Sequence, residues 1–211
     1  MSSINKISRR SRAISGVAAA LMAAALVPAG ASAATSNFGS SLNHEPANAG
    51  SSCDQNNLDS NPLCTHVGSF YPGTSGHAKA SSNGLITKIK VRAEGPMSFR
   101  FRLVQVRHLN SDHKSGQVKV ITQSRQLNAN GPTQTQADDG ISPIESFKVH
   151  IKVHKGDEVA IDTAKNTAEY CADGTPGQLT FFNPDLPLGG SFHQSQGVDD
   201  CLLLVQAVYN H

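Results

Sequence analysis

Phe147 to Asp162 reads FKVHIKVHKGDEVAID. Phe147, Val149, Ile151 and Val153 alternate with Lys148, His150, Lys152 and His154. Period two marks a strand with one buried face, because successive side chains leave the pleated backbone on opposite sides. Lys155-Gly156-Asp157-Glu158 breaks the run, and Val159 and Ile161 open a second one. Gly and Asp suit a tight reversal, so the stretch predicts a β-hairpin.

The same signal recurs on both sides. Leu85, Thr87, Ile89 and Val91 are set against Lys88, Lys90 and Arg92. Phe99, Phe101 and Leu103 alternate with Ser98, Arg100 and Arg102; then Val104 and Val106 are apolar, and a bulge near Leu103-Val104 accounts for the slip. Further strands are expected around residues 38–42, 65–71, 117–123 and 179–182, and residues 127–140 read as a polar connection. Residues 201–209, CLLLVQAVY, are apolar on both phases, which predicts a central strand covered on both sides. About eight or nine short strands separated by turn signals predict an all-β protein. The expected fold is a two-sheet antiparallel sandwich, jelly-roll-like, with an immunoglobulin-like sandwich as the alternative.

Residues 1–33 have the pattern of a secretory leader. Lys6, Arg9, Arg10 and Arg12 precede an Ala-rich apolar run that ends at Ala31-Ser32-Ala33. Cleavage is expected after Ala33, by the general secretory route. Arg9-Arg10 raises the twin-arginine route, but Arg12 stands where that signal wants a bulky apolar residue. No later apolar run is long enough to span a membrane. Residues 34–50 read as a flexible lead-in or an edge strand, and 51–211 as one β-sandwich domain.

An exported chain with four cysteines, Cys53, Cys64, Cys171 and Cys201, predicts two disulfides. Three connectivities are possible; Cys53–Cys64 and Cys171–Cys201 each bracket one loop-rich segment. Zinc would need close pairs such as C-x2-C, which are absent.

Two stretches also carry a resemblance: GLITKIKVR (residues 84–92) and the FKVHIKVHKGDEVAID run. They resemble the core of secreted β-sandwich, jelly-roll-like proteins of high-GC Gram-positive bacteria. There, a G-x-I-T-x-hydrophobic strand is followed by a V-x-x-G-D-x-hydrophobic-x-hydrophobic-D hairpin. The match spans about half of the chain after the leader. The resemblance implies a fold and a compartment, and no activity or site residues.

Catalytic signatures are missing. There is no G-x-S-x-G, H-E-x-x-H, P-loop or dinucleotide fingerprint. His150 and His154 have the spacing of a helical metal pair. On a strand they stand roughly 13 Å apart at about 3.3 Å per residue, too far for one ion at about 2 Å from each. Asp138-Asp139 and Asp199-Asp200 are the candidate oxygen ligands for a calcium ion. With no Trp, a sugar-stacking platform would fall to Phe70, Tyr71, Tyr170, Phe192 or Tyr209, since Phe99, Phe101 and Phe147 alternate as core.

Charge is unevenly spread. Four of the 18 positives and none of the 16 negatives lie in residues 1–33, leaving 14 against 16, a net of −2. The basic balance of the whole chain therefore belongs to the leader, and a nucleic-acid partner is not expected. Residues 79–155 hold 13 positives and 5 negatives, whereas 156–211 hold one positive and eight negatives. Lys88, Lys90, Arg92, Arg100, Arg102, Lys148 and Lys152 fall on outward phases, and would form a basic face if their strands share a sheet. The expectation is a secreted, non-catalytic module whose basic face binds an anionic cell-wall polymer or extracellular glycan. The alternatives are a structural or interaction protein of the cell envelope with no small ligand, and a hydrolase on a jelly-roll scaffold.

Overall fold

The computed structural model describes residues 33–47, 63–70, 76–110, 115–164, 171–173, 178–182, 186–199 and 201–211. In chain order its elements are β1 (Thr35–Ser40), β2 (Leu63–Phe70), β3 (Gly76–His77), β4 (Gly84–Arg92), β5 (Met97–Arg107) and β6 (Gln117–Ala129). The short helix α1 (Gln134–Asp138), β7 (Ile144–Val153), β8 (Glu158–Ala164), β9 (Cys171–Asp173) and β10 (Gln178–Phe182) follow. Last come β11 (His193–Gln194), β12 (Gly197–Asp199), β13 (Cys201–Leu203) and β14 (Val205–Asn210).

One sheet has the order β3-β1-β14-β4-β7 and the other β11-β6-β5-β8-β2-β10-β12, while β9 and β13 pair apart. Every pairing between named strands is antiparallel. Take β1, β2, β4, β5, β6, β7, β8 and β14 as first to eighth. One sheet then runs first-eighth-third-sixth and the other second-seventh-fourth-fifth. This is jelly-roll order, two Greek keys wound together. The fold is the all-β antiparallel sandwich expected, with one sheet curled. Phe38, Ile86, Ile89, Ile151 and Tyr209 from the first sheet meet Phe99, Phe101, Leu103, Val159 and Ile161 from the second in the main core.

That winding corrects the hairpin expectation. The turn at residues 154–157 forms, with Gly156 at φ 92° and the Asp157 N–H donating to the His154 carbonyl. However, β7 pairs with β4, whereas β8 pairs with β5 and β2, so the chain crosses between sheets here. The turn is anchored to neither flanking strand. Gly156 donates to the Ala80 carbonyl, Ala80 donates to that of Asp157, and Lys155 donates to Asn83 Oδ1. Strands β4 and β5, consecutive in the chain, likewise lie in opposite sheets.

The expected irregularity at Leu103-Val104 is present, but the extra residue is on the partner strand. Leu103 faces Thr122 and Val104 faces Val120, leaving Ile121 unpaired in β6. Alternation in β5 itself continues: Leu103 enters the main core and Val104 a second cluster with Val67, Val118, Val120, Ala160 and Leu186. The outer phase turns apolar because the segment carrying Leu186 covers it.

The apolar run 201–209 divides at Leu204. β13 pairs with β9, where Cys171 and Cys201 form the expected disulfide across a Cα separation of 5.7 Å. β14 is the expected central strand, between β1 and β4. Cys64 is buried and disulfide-bonded; its expected partner, Cys53, lies outside the described residues. β1 pairs with β14 from Thr35 to Gly39, and two-residue β3 borders it only at Gly39 and Ser40. Its Gly39 adopts φ 95°, and a Cβ there would run into the Val205 carbonyl.

Candidate functional site

The seven basic residues singled out by alternation separate into three environments. Lys88 and Lys90 on β4, and Lys148 and Lys152 on β7, share the outer face of the five-stranded sheet. Register places Lys88 directly opposite Lys148, Lys152 opposite Leu85, and Lys90 opposite Ser146. Lys88, Lys148 and Lys152 are exposed and Lys90 half-buried. Exposed His150 sits between the two β7 lysines on the same phase. Among the described residues none of the four lysines has an ion-pair partner. Like charges directly opposite on neighbouring strands are destabilising, so the Lys88–Lys148 pair carries a standing electrostatic cost.

The rows continue across the sheet. Lys148–Lys88–Val208–Asn37 is one and Lys152–Leu85–Asn210–Thr35 another. No acidic side chain occupies either row.

Arg92 lies at the end of this face but is already engaged. Its guanidinium donates to the carbonyls of Ser142 (2.7 Å), Leu42 (3.2 Å) and His44 (3.0 Å), and pairs with Glu45. It therefore clamps residues 42–45 to the sandwich. Arg100 and Arg102 belong to the other sheet, so the basic face does not include them.

Arg102 is a further correction, being 2 % exposed and not outward to solvent. It pairs with Asp162 on β8 and donates to the Leu186 carbonyl. Thr65 Oγ1 donates to Asp162 Oδ1 at 2.8 Å and accepts from the Leu186 N–H at 3.0 Å. The outward phase of β5 was read correctly; what covers it comes from residues 84 positions further along the chain.

Asp138 and Asp139 sit in and just after exposed α1, where Asp138 Oδ1 accepts from Gln134 Nε2 at 2.8 Å. The side chain of Asp199, and Asp200 altogether, lie outside the described residues. Among the described residues no three of His, Cys, Asp and Glu are grouped as a metal would require. Of the candidate stacking rings, Tyr209 is buried in the core, and Phe192 is covered by the Arg107 guanidinium at 3.7 Å from its centroid. The side chains of Phe70, Tyr71 and Tyr170 lie outside the described residues.

No family model matches this chain, and neither does any curated protein or solved structure. The site therefore rests on its own geometry.

Pairing of distant strands also assembles groups that no local motif announces. A polar cleft of about 370 Å3 lies beside β1, lined by Thr35, Ser36, Asn37, His77, Lys79 and Ser81. Lys79 Nζ stands 3.2 Å from Oε1 of the fully buried Glu158. Ser36 Oγ is 2.9 Å from His211 Nε2, a contact across 175 residues. Among the described residues no carboxylate is bonded to the other ring nitrogen of His211, where a catalytic triad would place its orienting member. Tyr209, whose hydroxyl lies 2.9 Å from Ser81 Oγ, ties the far wall to the core.

Two buried titratable groups give a pH signature. Burial pushes the Glu158 carboxyl up to about 8, against the opposing pull of Lys79. Burial alone lowers the His66 imidazole to about 3. Between about 4.5 and 8 the folded state holds a proton on Glu158 that the unfolded chain releases, so stability falls as pH rises. Between about 3 and 6.5 the unfolded chain holds a proton that folded His66 refuses, so stability rises with pH. The two slopes oppose each other up to about 6.5, and above it only the Glu158 loss remains. Thermal melts should therefore show Tm falling from pH 6.5 to 8.5, and Glu158→Gln should flatten that limb. An unchanged slope in the variant would remove Glu158 as its source.

Proposed function

We propose that this protein is a secreted, non-catalytic β-sandwich module that holds an anionic cell-wall polymer or extracellular glycan on the outer face of its five-stranded sheet. The observation that carries the reading is Lys88 opposite Lys148, flanked by Lys90 and Lys152, with no ion-pair partner for any of the four among the described residues. A face built at an electrostatic cost is relieved by a polymer that brings negative charge at repeating intervals. The residues involved are Lys88, Lys90, Lys148 and Lys152, with His150 among them.

Export supports the same reading. The Lys/Arg-then-Ala-rich leader ends at Ala33, β1 begins at Thr35, and a disulfide suits an oxidising compartment. Cleavage after Ala33 leaves every described strand intact. No helix among the described residues is long and apolar enough to cross a membrane. The resemblance to secreted sandwich proteins of high-GC Gram-positive bacteria points to a wall rich in phosphate or carboxylate polymers.

The test is binding of the protein lacking residues 1–33 to an anionic and a neutral wall polysaccharide across a salt series. Binding to the anionic polymer should weaken as salt shortens the screening length from about 10 Å at 0.1 M to about 3 Å at 1 M. Equal, salt-independent binding to both polymers would refute the reading.

A further inference from the structure

The cleft beside β1 differs in chemistry from the lysine face and is separated from it. Strands about 4.8 Å apart put Asn37 roughly 14 Å from Lys148 along their shared row. All six lining residues carry a side-chain hydrogen-bond donor: the hydroxyls of Thr35, Ser36 and Ser81, the Asn37 amide, the His77 imidazole and the Lys79 ammonium. No carboxylate lines the cleft, which disfavours a cation, and His77 is its one ring, which disfavours a stacked neutral sugar.

The backbone adds donors. Ala34 and His211 exchange both of their N–H bonds, so in this antiparallel ladder Ala34, Ser36 and Phe38 face β14. Thr35 and Asn37 then direct their N–H groups away from β14, toward the cleft. Among the described residues β3 pairs only with Gly39 and Ser40, and no other strand covers that part of the β1 edge.

The charge is also available. Lys79 is 51 % exposed, and the carboxyl it touches is 0 % exposed. A carboxyl enclosed in this way stays protonated at neutral pH, so it orients the ammonium without neutralising it. The neighbouring acid, Asp157, turns Oδ2 toward the His154 N–H at 2.9 Å and the His154 ring at 3.7 Å.

We propose that this cleft is a binding site for a small oxyanion, a phosphate or carboxylate group, with Lys79 as its charged anchor and His77, Ser36, Asn37 and Ser81 as hydrogen-bond donors. Charge-assisted bonds to an ammonium and several neutral donors suit a compact group with several acceptor oxygens. The site does not depend on polymer binding at the lysine face.

An NMR titration of the protein lacking residues 1–33 tests it. Inorganic phosphate and acetate are added in separate arms, each against sodium chloride at matched ionic strength. Saturable shifts are expected at Ser36, Asn37, His77 and Lys79, and they should persist unchanged in Lys88→Ser/Lys148→Ser. Binding should weaken at least tenfold in Lys79→Met. His77→Ala, at an exposed position, provides a second variant if Lys79→Met fails to fold, and should weaken binding severalfold. Shifts that do not saturate, that chloride reproduces, or that survive both cleft substitutions would overturn the proposal. So would shifts confined to the lysine face and abolished by Lys88→Ser/Lys148→Ser.

Discussion

Asp162→Ala should destabilise the protein by about 3–5 kcal/mol, the penalty for leaving one member of a buried ion pair without its partner. Arg102 and Asp162 are 2 % and 1 % exposed, so no water replaces the lost carboxylate. The substitution also strips Thr65 Oγ1 of its acceptor, and that hydroxyl holds the Leu186 N–H. Leu186 in turn roofs the cluster of Val67, Val104, Val118, Val120 and Ala160. Loss at one carboxylate therefore spreads to the segment covering the second sheet. Arg102→Met/Asp162→Leu should cost much less than either single change, because no charge is left stranded. Chemical denaturation of the three variants measures this. A single variant within about 0.5 kcal/mol of wild type, the range of ordinary surface changes, would contradict the buried pairing.

Removal of the Cys171–Cys201 bridge should be nearly as costly. The two cysteines are 30 residues apart, and closing a loop of that size removes about 3–4 kcal/mol of unfolded-chain entropy on the chain-entropy account. The bridge also holds β9 against β13, a two-stranded unit outside both main sheets. An isolated pair of strands is marginal in water, so this unit depends on its staple, on Leu203 in the main core, and on the contact of Leu202 and Leu204 with Leu42 and Ala172. Cys171→Ser/Cys201→Ser should lower the denaturation midpoint by the corresponding amount, and amides of residues 171–173 should lose exchange protection before those of β14. Uniform loss across both would show that the unit is not separately stapled.

Strand content was legible because period two reports a half-buried pleat directly, as Phe147 to Val153 and Leu85 to Arg92 show. Strand partners were not. The Gly156 turn has the residues of a hairpin, yet β7 and β8 part into opposite sheets. That choice is made by the whole jelly-roll winding and not by four turn residues. Alternation placed Arg102 on the outer phase correctly, but it cannot say that a segment around Leu186 will cover that phase. One local signal was readable and missed. Thr133-x-x-Gln136 is a capping box, and it starts α1 inside the stretch read as polar connection. The candidate site divides in the same way. Lys88, Lys90, Lys148 and Lys152 were legible from their phases, whereas Lys79–Glu158 and Ser36–His211 exist only because β1 meets β14 and the 79–83 segment meets the turn before β8.

The separation of basic residues between two sheets gives the central claim its sharpest test. Lys88→Ser/Lys148→Ser removes the opposed pair from the five-stranded sheet, while Arg100→Ser removes a cation from the other sheet. Each exposed charge contact is worth about 0.2–1 kcal/mol. Two lost contacts correspond to about two- to thirtyfold weaker binding. The measurement is the dissociation constant of each variant for one anionic wall polymer at low salt. Weaker binding by Lys88→Ser/Lys148→Ser with Arg100→Ser unchanged is the predicted result; equal effects, or no effect of the lysine pair, would contradict the claim.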